Sequence, residues 1–439
     1  VLALVLVPLF LLLPAPVPAA GSDPGASGLD LATAQRLALG DDPGADVFRA
    51  RARAARERAV ADAQLPDPVV SMGALNFPVD SFAFDQERMT QLRLGVRQQF
   101  PGGDTLARRR ALGEARAGGF DAATELRRRE VLRAVRIAWL DLRWLEQERT
   151  LLEDTLPLLE DLEETALAGY RQGAGDQQGV LRARLEQDSL RDRLLRNREE
   201  LERVRAELVR WVGPAAEGAR TAGDLMGSGL AGAASFEQLR ERLGAHPLLD
   251  MRQAEIEAAR AEIGLAEAAY RPDWGIELGY GVRDGLEPMG DTPDFVSAAL
   301  TFELPLFTAD RQDRRRSAAE SSFEAARAER LDSLRELTRD LQRTLARLDR
   351  LEDRMELFDG SILPRAAQTA EAARRGYRAD TTDFPETVRT ALAQLDARIE
   401  RARIVHERAS ARARLAWLIG DEVAAGPAPA TTTTEEQVR

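Results

Sequence analysis

The sequence predicts a mainly helical chain carrying membrane-type β-strands, built as a tandem duplication of one helix–strand–strand–long helix–turn–helix unit. Three observations predict it. A series of landmarks recurs in the same order at an offset of 206 or 207 residues. Each copy contains two stretches in which apolar residues alternate with small or polar ones, the period of a half-exposed strand. Each copy also carries a seven-residue apolar repeat within a helical segment of roughly 65 residues, which implies coiled-coil packing.

The offsets are specific. Leu65-Pro66-Asp67 precedes Arg271-Pro272-Asp273 by 206 residues, and Arg108-Arg109-Arg110 precedes Arg314-Arg315-Arg316 by the same distance. Pro157 pairs with Pro364 and Gly169-Tyr170-Arg171 with Gly376-Tyr377-Arg378 at 207, and Trp211 with Trp417 again at 206. The ordered coincidences define a first repeat, 20–212, a Gly/Ala-rich connector, 213–234, and a second repeat, 235–421. Residues 1–19 precede them and 422–439 follow.

Taken in order, Leu2–Leu13 form an apolar run followed by small residues and prolines. That reads as a secretory signal peptide over 1–19, too short for a spanning helix. A first helix is expected over 30–64, with its counterpart over 235–270. Strands follow at about 68–77 and 89–100 in the first copy, and at about 273–282 and 295–306 in the second. Trp274, Ile276, Leu278, Tyr280 and Val282 form one apolar face, against Gly275, Glu277, Gly279 and Gly281. Val296, Ala298, Leu300 and Phe302 repeat the alternation, as do Leu92, Leu94 and Val96 against Arg93 and Arg97. For 68–77 the pattern does not choose a face. Strands of about ten tilted residues suit a bilayer's hydrocarbon layer.

Long helices are expected next, over about 104–168 and 310–375. Val131, Ala138, Leu145, Leu152 and Leu159 mark the first seam, and Leu334, Leu341, Leu348, Met355 and Ile362 the second. Pro157 and Pro364 should bend these helices near their ends, since proline lacks the N–H and its ring clashes with the preceding turn. After the Gly-Tyr-Arg turns, shorter helices return over about 177–212 and 384–419. The Pro/Ala/Thr-rich 422–439 reads as a disordered tail.

Composition narrows the function. The chain has 439 residues and a formal charge of −12, and all 61 of its basic residues are Arg. No basic stripe with interleaved aromatics appears, which argues against nucleic acid. With no Cys and only His246 and His406, thiolate chemistry, disulfides and a His-based metal site are not expected. Nor is there a Walker lysine or a nucleophile elbow, so the sequence offers no catalytic residues, metal site or cofactor. Acidic clusters such as Glu160–Glu164 sit on heptad helices and read as solvated faces.

Four membrane-type strands per chain cannot close a barrel that encloses a lumen, and a spanning sheet cannot leave its edges in lipid. The barrel must therefore be shared: a dimer would supply 2 × 4 strands and a trimer 3 × 4. At this point the duplicated unit resembles the outer membrane efflux protein family typified by TolC. The residues that carry the resemblance are the Pro-Asp before each first strand and Gln99-Phe100-Pro101-Gly102-Gly103 and Pro305-Leu306-Phe307 after the second strands. The two Gly-Tyr-Arg turns and the closing Trp-Val-Gly and Trp-Leu-Ile-Gly complete the set. The resemblance implies a homotrimer with a 12-stranded β-barrel in the outer membrane, continued by a 12-helix coiled-coil α-barrel through the periplasm. It implies a passive exit duct that works with a periplasmic adaptor and an inner-membrane pump, exporting drugs, metal ions or proteins; Gln-Phe-Pro-Gly-Gly and the late proline lean toward the metal-efflux branch. Many members also carry a lipid on an N-terminal Cys, a residue this sequence lacks.

The resemblance also assigns sites. Gly169, Tyr170, Arg171, Gly173, Gly376, Tyr377 and Arg378 fall at the adaptor-docking helix tips, where a plain helix C-cap with a packed Tyr is the competing reading. Aligned on Gly-Tyr, the periplasmic gate falls on Glu386 and Arg389, so only one of the family's two acids is kept; Asp380 and Asp383 lie about one turn away. Solvated turn residues are the competing reading for these acids. Trp274, Ile276, Leu278, Tyr280, Val282, Val296, Leu300 and Phe302 would face lipid. The rival to a duct is an exported, elongated coiled-coil adaptor or scaffold, which would need no lipid-facing alternation and no duplicated strand pairs.

Overall fold

The computed structural model describes residues 28–84, 86–172, 177–223, 235–283, 293–379 and 381–420. The expected signal peptide, the tail and half of the connector lie outside these residues. Strand β1 (Leu29–Asp30) leads into α1 (Leu31–Gly40) and α2 (Pro43–Asp62). Strands β2 (Val69–Leu75) and β3 (Gln91–Phe100) follow, then α3 (Thr105–Arg171) and α4 (Gln177–Val212). A short β4 (Thr221–Ala222) pairs in parallel with β1. The second repeat runs α5 (Phe236–Arg242), α6 (Pro247–Ala268), β5 (Asp273–Val282), β6 (Phe295–Glu303), α7 (Gln312–Leu357), α8 (Leu363–Arg378) and α9 (Phe384–Ile419).

The helices expected as single pieces over 30–64 and 235–270 are each broken in two. In the first copy Asp42 caps α2, its carboxylate accepting from Gly44 N at 3.1 Å, and Pro43 opens the helix. Proline at a first helical position has no N–H to waste, so the sequence Asp-Pro is a start signal. The second copy does the same with His246 and Pro247: imidazole Nδ1 accepts from Leu248 N at 3.2 Å. Helix α2 then lies on α3 through Ala52 and Ala59. A Cβ at Gly113 would come within 2.4 Å of the Ala59 methyl, so only glycine allows this approach.

Helix α3 is continuous over 67 residues and runs through Pro157 without interruption. At 1.5 Å per residue it is roughly 100 Å long. The first seam is buried along its length: Val131, Ala138, Leu145, Leu152 and Leu159 are all at most 5% exposed. The second long helix differs from the expected single span. A π-type turn at Phe358–Ile362 separates α7 from α8, and Pro364 sits in the first turn of α8. The extra residue in that turn accommodates the missing proline N–H, which in the first copy is absorbed within the helix.

Helix α3 packs on α2, α4, α6 and α9, while α9 also packs on α7 and α8. The two repeats thus share one helical body, with its largest apolar cluster around Trp139, whose indole N–H donates to Leu29 O at 2.7 Å. Among the described residues, no helix is long and apolar enough to cross a membrane.

At the opposite end from the tips, the four longer strands form one antiparallel sheet in the order β2-β3-β5-β6. The corner below it explains the Pro-Gly-Gly and Pro-Asp landmarks together. Gly102 N donates to the Asp273 carboxylate at 2.6 Å, and a Cβ on Gly102 would lie 2.7 Å from Pro272 O. Gly103 has φ +60, where glycine is unstrained, and abuts Arg271. The end of one repeat's strand is therefore seated on the start of the other's.

Candidate functional site: the two-faced sheet and the helix tips

Register decides which side chains share a face, because directly opposed residues of an antiparallel pair point the same way. Trp274 opposes Phe302, Ile276 opposes Leu300 and Tyr280 opposes Val296. On the other side, Trp274 opposes Phe100, Leu278 opposes Val96, Tyr280 opposes Leu94 and Val282 opposes Leu92. Strand β2, whose face the sequence leaves open, adds Val70, Met72 and Ala74 to the same side. The structure thus brings all eight candidate lipid-facing residues together on one apolar surface. It is not a core: Leu278, Leu300 and Phe302 are 57–58% exposed.

Aromatic groups mark the limits of this surface. Phe100 and Trp274 stack at 4.2 Å at the end nearest the helices. Six residues along β5, Tyr280 donates its hydroxyl proton to Asp294. At about 3.3 Å per residue the separation is roughly 20 Å, close to the roughly 25 Å apolar band of membrane barrels with their aromatic girdles.

The opposite face is polar and lined by glycine. Arg93 Nη2 donates to Glu277 Oε1 at 3.0 Å, and Arg97 donates through Nε and Nη2 to Oε2 at 3.0 and 2.6 Å. Glycines 275, 279 and 281 lie on this face, and their lack of a Cβ leaves room for Thr301, Arg93 and Gln91 to cross the strand. Sequence reasoning placed Arg93 and Arg97 opposite the apolar face but missed this cluster. Its one visible signal is Glu277, a charge inside an otherwise apolar and glycine-rich strand.

Strands β2 and β6 each have one partner, so the sheet has two open edges. Every residue of β2 and of β6 is exposed. Because neighbours alternate in direction across the sheet, β6 of one copy can meet β2 of another antiparallel, whatever the number of copies.

At the far end of the helical body lie the tip residues. Gly169, Tyr170 and Arg171 form the last turn of α3, where Gln172 N is bonded to Ala168 O and Gly169 O, both at 3.2 Å. Tyr170 is exposed. Gly173 lies outside the described residues. The second tip is more tightly built. Gly376 O accepts from the N–H groups of Ala379, Thr381 and Thr382 at 3.1, 2.8 and 3.3 Å. Tyr377 packs edge-on against Phe384, ring centroids 5.7 Å apart, with Arg378 closing α8.

The gate candidates gather at the start of α9, except Asp380, which lies outside the described residues. Asp383 caps the helix, accepting from Glu386 N at 3.0 Å. Glu386 takes two hydrogen bonds from Arg389, at 2.8 and 2.5 Å. That bond and the guanidinium charge hold the Glu386 carboxyl below its usual range and push Arg389 up. Within one chain, both acids therefore already have partners.

A sheet with one apolar and one polar face, open at both edges and set on helices of this length, has the fold of solved outer membrane channels. Three solved structures agree. The outer membrane protein VceC from Vibrio cholerae is 17% identical, covers 89% of this chain and 96% of its own, and superposes with a TM-score of 0.74. A membrane protein from Pseudomonas aeruginosa is 18% identical over 93% of this chain and 99% of that one, with a TM-score of 0.76. The open-state MtrE outer membrane channel of Neisseria gonorrhoeae is 16% identical, covering 89% and 88%, with a TM-score of 0.68. No curated protein sequence matches the chain significantly. Residues 239–421, within the second repeat, match the model of the outer membrane efflux protein family.

Proposed function

We propose that the chain is the outer membrane exit duct of a tripartite efflux or type I secretion system. Three copies share a 12-stranded barrel, and their helices continue it through the periplasm to an adaptor and an inner-membrane pump. One observation carries this reading: a four-stranded sheet with an exposed apolar face, a polar face and two open edges. Such a sheet has unpaired backbone groups along both edges, which lipid cannot satisfy, so it must close on further copies. Two copies would make a barrel whose interior side chains fill, whereas three leave a water-filled lumen. The coiled-coil scaffold reading leaves the apolar surface unexplained.

In this reading cargo moves passively and the protein supplies the wall. Gly169, Tyr170, Arg171 and Gly173, with Gly376, Tyr377 and Arg378, form the surface that meets the adaptor. Asp380, Asp383, Glu386 and Arg389 line the narrow periplasmic end, where the Tyr377–Phe384 contact and the Glu386–Arg389 pair hold the second hairpin closed. Light scattering on protein extracted from outer membranes tests the assembly. A detergent-dependent trimer is expected; a water-soluble monomer or dimer refutes the duct. In planar bilayers, Tyr377→Ala with Glu386→Ala should raise single-channel conductance, and unchanged conductance and gating would remove both residues from the gate.

A further inference from the structure

We propose that Arg93, Glu277 and Arg97 form a charged belt on the water-facing wall of the barrel that favours anions over cations at that level. The inference rests on the duct reading, which makes the polar face of the sheet the lumen. Two guanidinium groups share one carboxylate, leaving one net positive charge per chain. The three side chains are not equally accessible: Glu277 is 15% exposed, against 32% for Arg93 and 55% for Arg97. The acid therefore lies beneath and the two cations present themselves outward.

The wall is built to let them do so. Gly95 and Gly279 oppose each other between the two arginines in register. A Cβ at Gly279 would stand 2.7 Å from Arg93 Nε, and one at Gly95 would stand 2.7 Å from Ser71 Oγ. A side chain at Gly279 would push the Arg93 guanidinium off the floor it lies on. Arg93 Nε is buried and has no hydrogen-bond partner among the described residues, so the cluster holds more donors than its single carboxylate accepts. The guanidinium of Arg97, the most exposed of the three side chains, suits an anionic oxygen passing through the lumen, such as a carboxylate or phosphate group.

Two other acids face the same side, Asp273 and Glu303, opposed to each other at the base of the sheet. Asp273 is engaged by Gly102 N. Four residues separate it from Glu277, roughly 13 Å along the strand, more than a Debye length of about 8 Å at physiological salt. The belt and the basal acids therefore act as separate stations. Around a closed barrel each copy repeats the charge, and rings of like side chains are a known way for a pore to sort ions by sign.

The test is reversal-potential measurement on the full-length protein in planar bilayers under a KCl gradient. Glu277→Gln raises the belt charge and should increase the chloride-to-potassium permeability ratio about twofold or more. Arg93→Gln with Arg97→Gln inverts the charge and should lower the ratio by a similar factor. A ratio that stays at the wild-type value, or moves the same way in both variants, overturns the proposal, because a simple tie between the two repeats would weaken both variants without sorting ions. Should a variant fail to insert, the wild-type channel decides: raising salt from about 0.1 to 1 M shortens the screening length from about 10 to 3 Å and should erase the belt's contribution. A salt-independent ratio overturns it. Wild-type protein that forms no channel refutes the duct reading itself, a separate outcome.

Discussion

His246 should make the protein lose stability in mild acid, before its carboxylates begin to protonate. The side chain is fully buried at the start of α6, and its ring meets edge-on, at 4.7 Å, the Trp417 ring that packs against Leu243, Leu249, Leu341 and Leu418. Its Nδ1 must keep a lone pair to cap α6, since it accepts from Leu248 N. Burial, followed by the charge of Arg129, lowers its pKa from 6.5 to about 4. Below pH 6.5 the unfolded chain takes up a proton that the folded chain refuses until about pH 4. Stability therefore falls with decreasing pH across that window, by about 1.4 kcal/mol per unit and roughly 3 kcal/mol in all.

Carboxylates with depressed values, such as Asp42 and Asp340, lose their contribution only as pH falls below their unfolded value of 3.8. The two effects are separated in pH. His246→Asn isolates the first, because asparagine is a good cap and does not titrate. Thermal unfolding in detergent, followed by tryptophan fluorescence at steps from pH 7 to 4.5, should show a midpoint that drops in the wild type. In the variant most of that drop should vanish. A variant that keeps the wild-type slope would refute the reasoning and place the acid sensitivity elsewhere.

Three further outcomes follow from the same contacts. Asp42→Ala removes the cap of α2 and strands Arg127, which donates to both carboxylate oxygens at 3.0 Å; a loss of about 2–3 kcal/mol is expected in the same assay. The tips should respond unequally to alanine. Gly169 has open space around it, so Gly169→Ala should stabilise by up to about 1 kcal/mol, whereas Gly376→Ala would bring a Cβ within 2.2 Å of Thr382 Oγ1 and should cost about 1–2 kcal/mol, read as faster proteolysis at the second tip. Leu278→Arg puts a cation at mid-height on the apolar face and should cost about 2–4 kcal/mol, seen as reduced recovery in isolated outer membranes; undiminished recovery would argue that this face does not meet lipid.

What the sequence revealed depended on how local the signal was. The seven-residue repeat from Val131 to Leu159 and the alternation from Trp274 to Val282 are each written within one segment, and both appear in the structure as a buried seam and a single apolar face. The duplication was legible because 206 residues of separation leave identical landmarks side by side once offset. The helix breaks at Asp42-Pro43 and His246-Pro247 were also locally encoded, each as a capping side chain followed by a proline at a first helical position. A histidine is an unusual cap, so the second break had only its proline as a standard start signal. The two late prolines look alike in sequence, but one sits inside a continuous helix and the other follows a π-type turn. The local difference is Gly360-Ser361, inside the π-type turn before Pro364, where the first copy has Glu153-Asp154 before Pro157.

The non-local features were not legible at all. Which face of β2 joins the apolar surface depends on its register with β3, and a slip of one residue would reverse it. The Arg93–Glu277–Arg97 cluster requires that the second strand of one repeat lie beside the first strand of the other, contacts that span 184 and 180 residues. That same pairing explains why a duplicated sequence folds as one object. Each repeat's own two-stranded hairpin leaves both of its edges unpaired, and β3 against β5 joins the hairpins into a sheet twice as wide with one continuous apolar face. The sheet still ends in two open edges, and the logic that joined repeat to repeat then applies between chains. On the proposed function, closure is the step the single chain leaves undone, and a duct is what that closure produces.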